Sequence, residues 1–163
     1  GIINANPEAE VWIPTEDQWY KAAYYQGNGS YSIYPNGQST MTAAEANCID
    51  ETGTYLEQTT EVGAYAASPS HYGAFDLGGN VAEWTSSVFY EGSYNFFGDF
   101  SPDVQYNAKD ADPILMKRKV VRGGSWKDIA YNCQVSSRSY EYQDTAKSYI
   151  GFRCVLSMAP RIN

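Results

Sequence analysis

The stretch FDLGGNVAEWTSS, residues 75–87, sets two carboxylates, Asp76 and Glu83, seven positions apart around Gly78-Gly79-Asn80. Adjacent glycines lose too much conformational freedom to sit well in a helix, but they let the backbone curl tightly. Beyond the curl, residues 80–90 (NVAEWTSSVFY) alternate in part between apolar and polar types, which predicts a strand leaving the turn. A solvated turn can use any polar residues, so this arrangement of acids, glycines and the tryptophan Trp84 asks for a reason beyond solubility.

Upstream, WIPTEDQWYKAAYY (12–25) carries the one clear helix signal. Thr15 is a good N-cap and Gln18, three residues later, closes a capping box. Glu16 and Asp17 fall in the first turn, where the helix dipole favours anions. Trp19, Ala22 and Ala23 share a face, so the helix is expected from residue 16 to about 25, ended by QGNGS (26–30). The residues 61–66 (EVGAYA) form a short strand candidate. KRKVVRGGSW (117–126) is a stronger one, with Val120 and Val121 leading into a Gly-Gly bend, and SYIGFRCVLSM (148–158) is the last. Turn punctuation fills 31–40, 50–55 and 68–73, and 91–113 reads as one long surface loop. One helix, several short strands and more than half loop make an α+β chain whose irregular backbone needs anchoring.

A length of 163 residues suits one domain, 1–163, with a real core. The 15 tyrosines, 6 phenylalanines and 4 tryptophans fit a core of amphipathic aromatics, or surfaces on which a ligand stacks. A net charge of −8, with 11 scattered basic residues, excludes nucleic acid as a partner. No run of about 18 apolar residues offers a transmembrane segment. The chain begins at GIINANPEAEVW without a methionine, so a processed product and a fragment both fit. Cys48, Cys133 and Cys154 are too few and too far apart for a disulfide framework, and no C-x-x-C suggests zinc. The single histidine, His71, reads as a loop residue.

Four stretches, taken in order, resemble one family: WIPTEDQWYKAA (12–23), FDLGGNVAEWTSS (75–87), VVRGGSW (120–126) and IGFRCV (150–155). They are similar to the motifs of the formylglycine-generating enzyme and sulfatase-modifying-factor family. The resemblance implies a C-type-lectin-like α+β fold, loop-rich with short antiparallel strands and few helices, and often calcium-bound. It also implies that this chain covers only the C-terminal part of a usual family domain. The N-terminal part would then have been cleaved, omitted or supplied by another chain, and an unpaired sheet edge would seek a protein partner.

Carried over residue by residue, the resemblance makes Asp76 and Glu83 side-chain ligands of a calcium ion, with Gly79 and Val81 contributing carbonyls. Calcium takes 6–8 hard oxygens at about 2.3–2.6 Å, and a plain acidic turn capped by Asn80 is the alternative. A second calcium site is implied at Asn47 and the Cys48 carbonyl. There a later acidic ligand is replaced by Thr54, unless Asp50 or Glu51 substitutes.

The family's oxidases hold copper(I) between two cysteines just after the Gly-Gly-Ser motif. Laid on GGSWKDIAYNC (123–133), that pattern puts the second cysteine on Cys133 and the first on Asp128. A hard carboxylate does not replace a soft thiolate for copper(I), so copper is not expected unless Cys48 or Cys154 comes close in the fold. The iron-dependent sulfoxide synthase branch needs histidines this chain lacks. WKD after Gly-Gly-Ser and DTAKSYIGFR (144–153) resemble a third branch, the gliding-motility and type IX secretion lipoproteins of bacteria, which keep the fold without the cysteine pair. Arg122 and Arg153 read as buried arginines paired to carboxylates, and Tyr140, Tyr142 and Tyr149 as groove-lining. The reading is a non-catalytic, calcium-stabilised extracytoplasmic module (periplasmic, cell-surface or secreted) for binding or assembly. The alternative is a copper-dependent formylglycine-generating oxidase or related thiol oxidoreductase.

Overall fold

The computed structural model describes residues 10–89 and 118–156. The expected helix is α1, Glu16–Tyr24. Both halves of its capping box form: Thr15 Oγ1 accepts from Gln18 N–H, and Gln18 Oε1 accepts from Thr15 N–H at 3.0 Å. It stops at Tyr25, which leaves helical geometry and bridges to Tyr31 across the glycine-containing turn. Trp19, Ala23 and Tyr24 are buried along one face and pack on Leu77 of the Gly-Gly turn.

The central sheet has four strands in the order β4-β3-β2-β5. Strand β2, Ala82–Val88, leaves the turn as expected, and β3, Arg118–Arg122, pairs with it antiparallel, Glu83 opposite Arg122 and Trp84 opposite Val121. A register shift between Trp84 and Val88 marks a bulge. On the other side of β3, strand β4, Ser139–Tyr142, runs antiparallel, with Val121 opposite Ser139. The two-residue β5, Ile150–Gly151, joins β2 in parallel, the one exception to an antiparallel sheet among the described strands. A second small sheet pairs β1, Val11–Trp12, with β6, Val155–Leu156.

Two expectations change. Residues 61–66 form turns rather than a strand. Their backbone is used locally, with Ala64 N–H bonded to the Glu61 carbonyl and Gly63 N–H donating to Asp76 Oδ2 at 2.6 Å. The single C-terminal strand is two short ones, β5 and β6, separated by Phe152–Cys154, because Arg153 turns inward there to meet Glu83. The long loop expected at 91–113 lies outside the described residues. No helix among the described residues is long and apolar enough to cross a membrane.

Candidate functional site

The Gly-Gly turn is a tightly bonded crossing point. Asp76, Gly79 and Asn80 all take positive φ (55°, 73° and 62°). Gly79 N–H donates to the Gly123 carbonyl, and Asn80 N–H to the Asn47 carbonyl. Asn80 locks the turn: its Oδ1 accepts from Thr60 N–H at 2.9 Å and from Asn47 Nδ2 at 3.2 Å. The curl therefore joins three loops that have no ladder of their own.

Glu83 does not face the turn as a free ligand. It is 4 % exposed on β2, and Arg153 grips it in a bidentate pair, Nε to Oε2 at 2.5 Å and Nη2 to Oε1 at 2.6 Å. Trp19 Nε1 on α1 donates to the same Oε2 at 2.5 Å. Arg153 Nη2 also reaches the carbonyls of Phe75, at 3.0 Å, and Asp76, at 3.2 Å. The calcium set expected at Asp76, Gly79, Val81 and Glu83 does not fit this arrangement. Its principal carboxylate is neutralised by a guanidinium, which would also repel a divalent ion at 4 Å by about 4 kcal/mol per unit of metal charge at an effective dielectric of roughly 20. Among the described residues, no three histidine, cysteine, aspartate or glutamate side chains cluster to hold a metal.

Asn47 offers the better fit to a hard cation. It is 2 % exposed, and its Nδ2 donates to the Gln58 carbonyl at 2.9 Å and to Asn80 Oδ1. Its Oδ1 is buried and accepts no hydrogen bond among the described residues. A buried amide oxygen without a donor costs free energy, and it is the kind of ligand calcium takes. The candidate acids are placed less favourably. Asp50 is occupied by its own turn, accepting from Thr52 and Thr54 N–H, and Glu51 is exposed.

The third feature is a cleft of about 490 Å³ between the Gly123-Gly124 bend and β4, lined by Lys127, Asp128, Tyr131, Tyr140, Glu141 and Tyr149. Of the expected groove tyrosines, Tyr140 and Tyr149 line it and Tyr142 does not. Lys127 Nζ sits 3.6 Å from the centre of the Tyr149 ring. Asp128 accepts from Ser125 Oγ at 2.6 Å and from Asn132 Nδ2 at 3.1 Å, so its carboxylate braces the bend. Cys133 ends the 3-10 turn Ala130–Cys133 and is fully buried behind Gly124. Burial pushes its thiol well above the usual range, and the nearby Cys48 thiol adds to the effect. Cys48 shares the buried cluster of Tyr34, Met41, Ala46 and Cys133, and burial pushes its own thiol up to about 11. Cys154 is exposed and outside that cluster.

The family model for the sulfatase-modifying factor enzyme 1-like domain matches residues 5–158. The chain belongs to this family. One relative is the inactive C-alpha-formylglycine-generating enzyme 2 of Bos taurus, 30 % identical over 87 % of this chain and 42 % of its own length. The hercynine oxygenase of Mycolicibacterium thermoresistibile is 32 % identical over 86 % of this chain and 30 % of its own length. Among solved structures, Treponema denticola variable protein 1 superposes with a TM-score of 0.63 at 26 % identity, over 88 % of this chain and 46 % of that one. The chain thus spans less than half the length of each of these relatives. Its few helices, short strands and extensive loops are the C-type-lectin-like fold of the sulfatase-modifying-factor family.

One arrangement was not readable from the sequence. Glu16 sits in the first helical turn as the sequence predicts, yet it is fully buried and its carboxylate is held by Arg138 (Nε at 2.9 and 3.0 Å, Nη2 at 2.7 Å) and lies 3.5 Å from Arg122 Nε. Arg122 is itself buried among Trp19, Tyr20 and Tyr24, with its Nη1 and Nη2 donating to the carbonyls of Ser137 and Val135. Arg122 and Arg153 are both carboxylate-paired, as expected, but nothing in the spacing pointed to Arg138.

Proposed function

We propose that this domain is a non-catalytic module for binding or assembly outside the cytoplasm, with the cleft beside Asp128 as its ligand-facing surface. One observation carries the reading. Where the family's oxidases place a copper-binding cysteine, this chain has a carboxylate engaged by Ser125 and Asn132, and its remaining cysteine at that motif is a buried thiol. Copper(I) selects thiolates, and a buried protonated thiol is neither a ready ligand nor a nucleophile. The cleft's mixed charge, with Lys127, Asp128 and Glu141 among tyrosines, suits a polar protein or peptide surface. The resemblance of WKD and DTAKSYIGFR to gliding-motility and type IX secretion lipoproteins supports an assembly role of this kind.

A calcium ion at Asn47, using its Oδ1 and the Cys48 carbonyl, is part of the proposal. It would supply the positive partner that Oδ1 lacks and tie the 47–60 loop to the Gly-Gly turn. The thiol oxidoreductase reading has one observation in its favour, the presence of Cys48 and Cys133 in one buried cluster.

A competition titration with copper(I) separates the two. The unmodified protein should compete poorly with a chelator, while Asp128→Cys should gain at least tenfold in affinity by bringing a second thiol to the motif. Tight binding by the unmodified protein, lost on Cys48→Ser or Cys133→Ser, would favour the oxidoreductase.

A further inference from the structure

We infer that Arg153 is the resident cation of the Asp76–Glu83 turn, so that this turn keeps its shape without a metal ion there. Glu83 is buried on the central strand of the sheet, and a buried carboxylate needs a neutralising partner with good geometry. Arg153 supplies one. Its guanidinium fork lies along both oxygens of Glu83, and Nη2 extends to the Phe75 and Asp76 carbonyls. Two carboxylate oxygens and two main-chain carbonyls thus converge on one side chain. That is a set of hard oxygens of the kind a calcium ion gathers, here arranged around a planar organic cation whose directional donors match it.

The arrangement also explains the chain path. Phe152–Cys154 interrupts the C-terminal strand so that Arg153 can reach inward from between β5 and β6. Trp19 Nε1 completes the Glu83 contacts from the helix. Helix, central strand, Gly-Gly turn and C-terminal segment therefore meet at one ion pair. Asp76 points its Oδ2 elsewhere, to Gly63 N–H, and closes a neighbouring loop. This inference is independent of the Asn47 site, which lies across the turn and draws on other residues.

The test is a calcium titration by calorimetry, paired with thermal melts, on the chelator-treated protein and its variants. Asp76→Asn keeps an oxygen for Gly63 N–H but removes the charge. It should leave calcium affinity and stoichiometry within twofold of the unmodified protein. Asn47→Ala should abolish calcium binding at the 47–60 loop. Arg153→Gln should lower the melting temperature by on the order of 10 °C in calcium-free buffer. If that variant does not fold, the Asp76→Asn comparison alone decides. A tenfold or larger loss of calcium affinity in Asp76→Asn, or calcium binding that survives in Asn47→Ala and is lost when Asp76→Asn is added, would overturn the inference. Loss of all calcium binding only with Asn47→Ala upholds it, and no calcium binding by any form upholds it while removing the Asn47 site.

Discussion

Gly79 has no room for a side chain. A Cβ there would lie 2.4 Å from the Asn47 carbonyl oxygen, and the residue's φ of 73° suits glycine. Gly79→Ala should therefore destabilise the fold by about 3 kcal/mol, measured by denaturant melts, whereas alanine at the open position Gly29 meets no neighbour within 4 Å and pays only for its φ of 85°. Asn80 and Thr15 act as their neighbours in the sequence suggest, because caps and turns are local. Cys48 behaves otherwise, since its burial comes from distant residues. Its thiol is held at about 11 in the folded protein against an ordinary 9.0. The unfolded chain loses that proton first, so its contribution to stability is complete below pH 9 and is lost as pH rises from 9 to 11, at about 1.4 kcal/mol per unit. Cys133 and Tyr24, also pushed up by burial, act in the same direction. Denaturant melts across that range should show the decline, and Cys48→Ala should make it shallower. A Cys48→Ala slope equal to that of the unmodified protein would mean the thiol is wet.

At the scale of the elements, the helix was legible because its signals lie within ten residues: the capping box, the acidic first turn, and Trp19 and Ala23 on one face. Strands β2 and β3 were legible from alternation and from Val120-Val121. What sequence could not give was how these elements are tied together. Glu16 looked like a dipole residue, yet it meets Arg138 across 122 positions and Arg122 across the sheet. Glu83 looked like a metal ligand, yet it meets Arg153 seventy positions away. Residue type shows that a carboxylate needs a cation, and only the fold shows which one. The residues 61–66 failed for a related reason, since no strand among the described residues pairs with them and their backbone bonds within turns instead. Glu16→Gln would leave Arg122 and Arg138 without their shared anion in a buried place, and should cost about 3–5 kcal/mol by denaturant melts. A loss below 1 kcal/mol would show that Arg122 is satisfied by the Ser137 and Val135 carbonyls and Arg138 by water.

Across the whole molecule, four motifs in order were enough to reach the family and the C-type-lectin-like fold, because they sit at the places where loops are fastened: the helix cap, the Gly-Gly turn, the second Gly-Gly bend and the inward-turning arginine. Function is less legible for a physical reason. Relatives matched over most of this chain are named as an oxygenase and as an inactive enzyme, so the shared fold does not decide activity. At the positions of the oxidases' cysteine pair stand Asp128, braced by Ser125 and Asn132, and Cys133, buried out of the cleft. The absence of a thiolate pair at that position is the centre of the account. Oxygen uptake and mass change on a cysteine-containing peptide, with copper(I) supplied in slight excess, tests it most directly. The account predicts no peptide aldehyde and no oxygen consumption above the copper-only control, and repeated turnover that disappears in Cys133→Ser would contradict it.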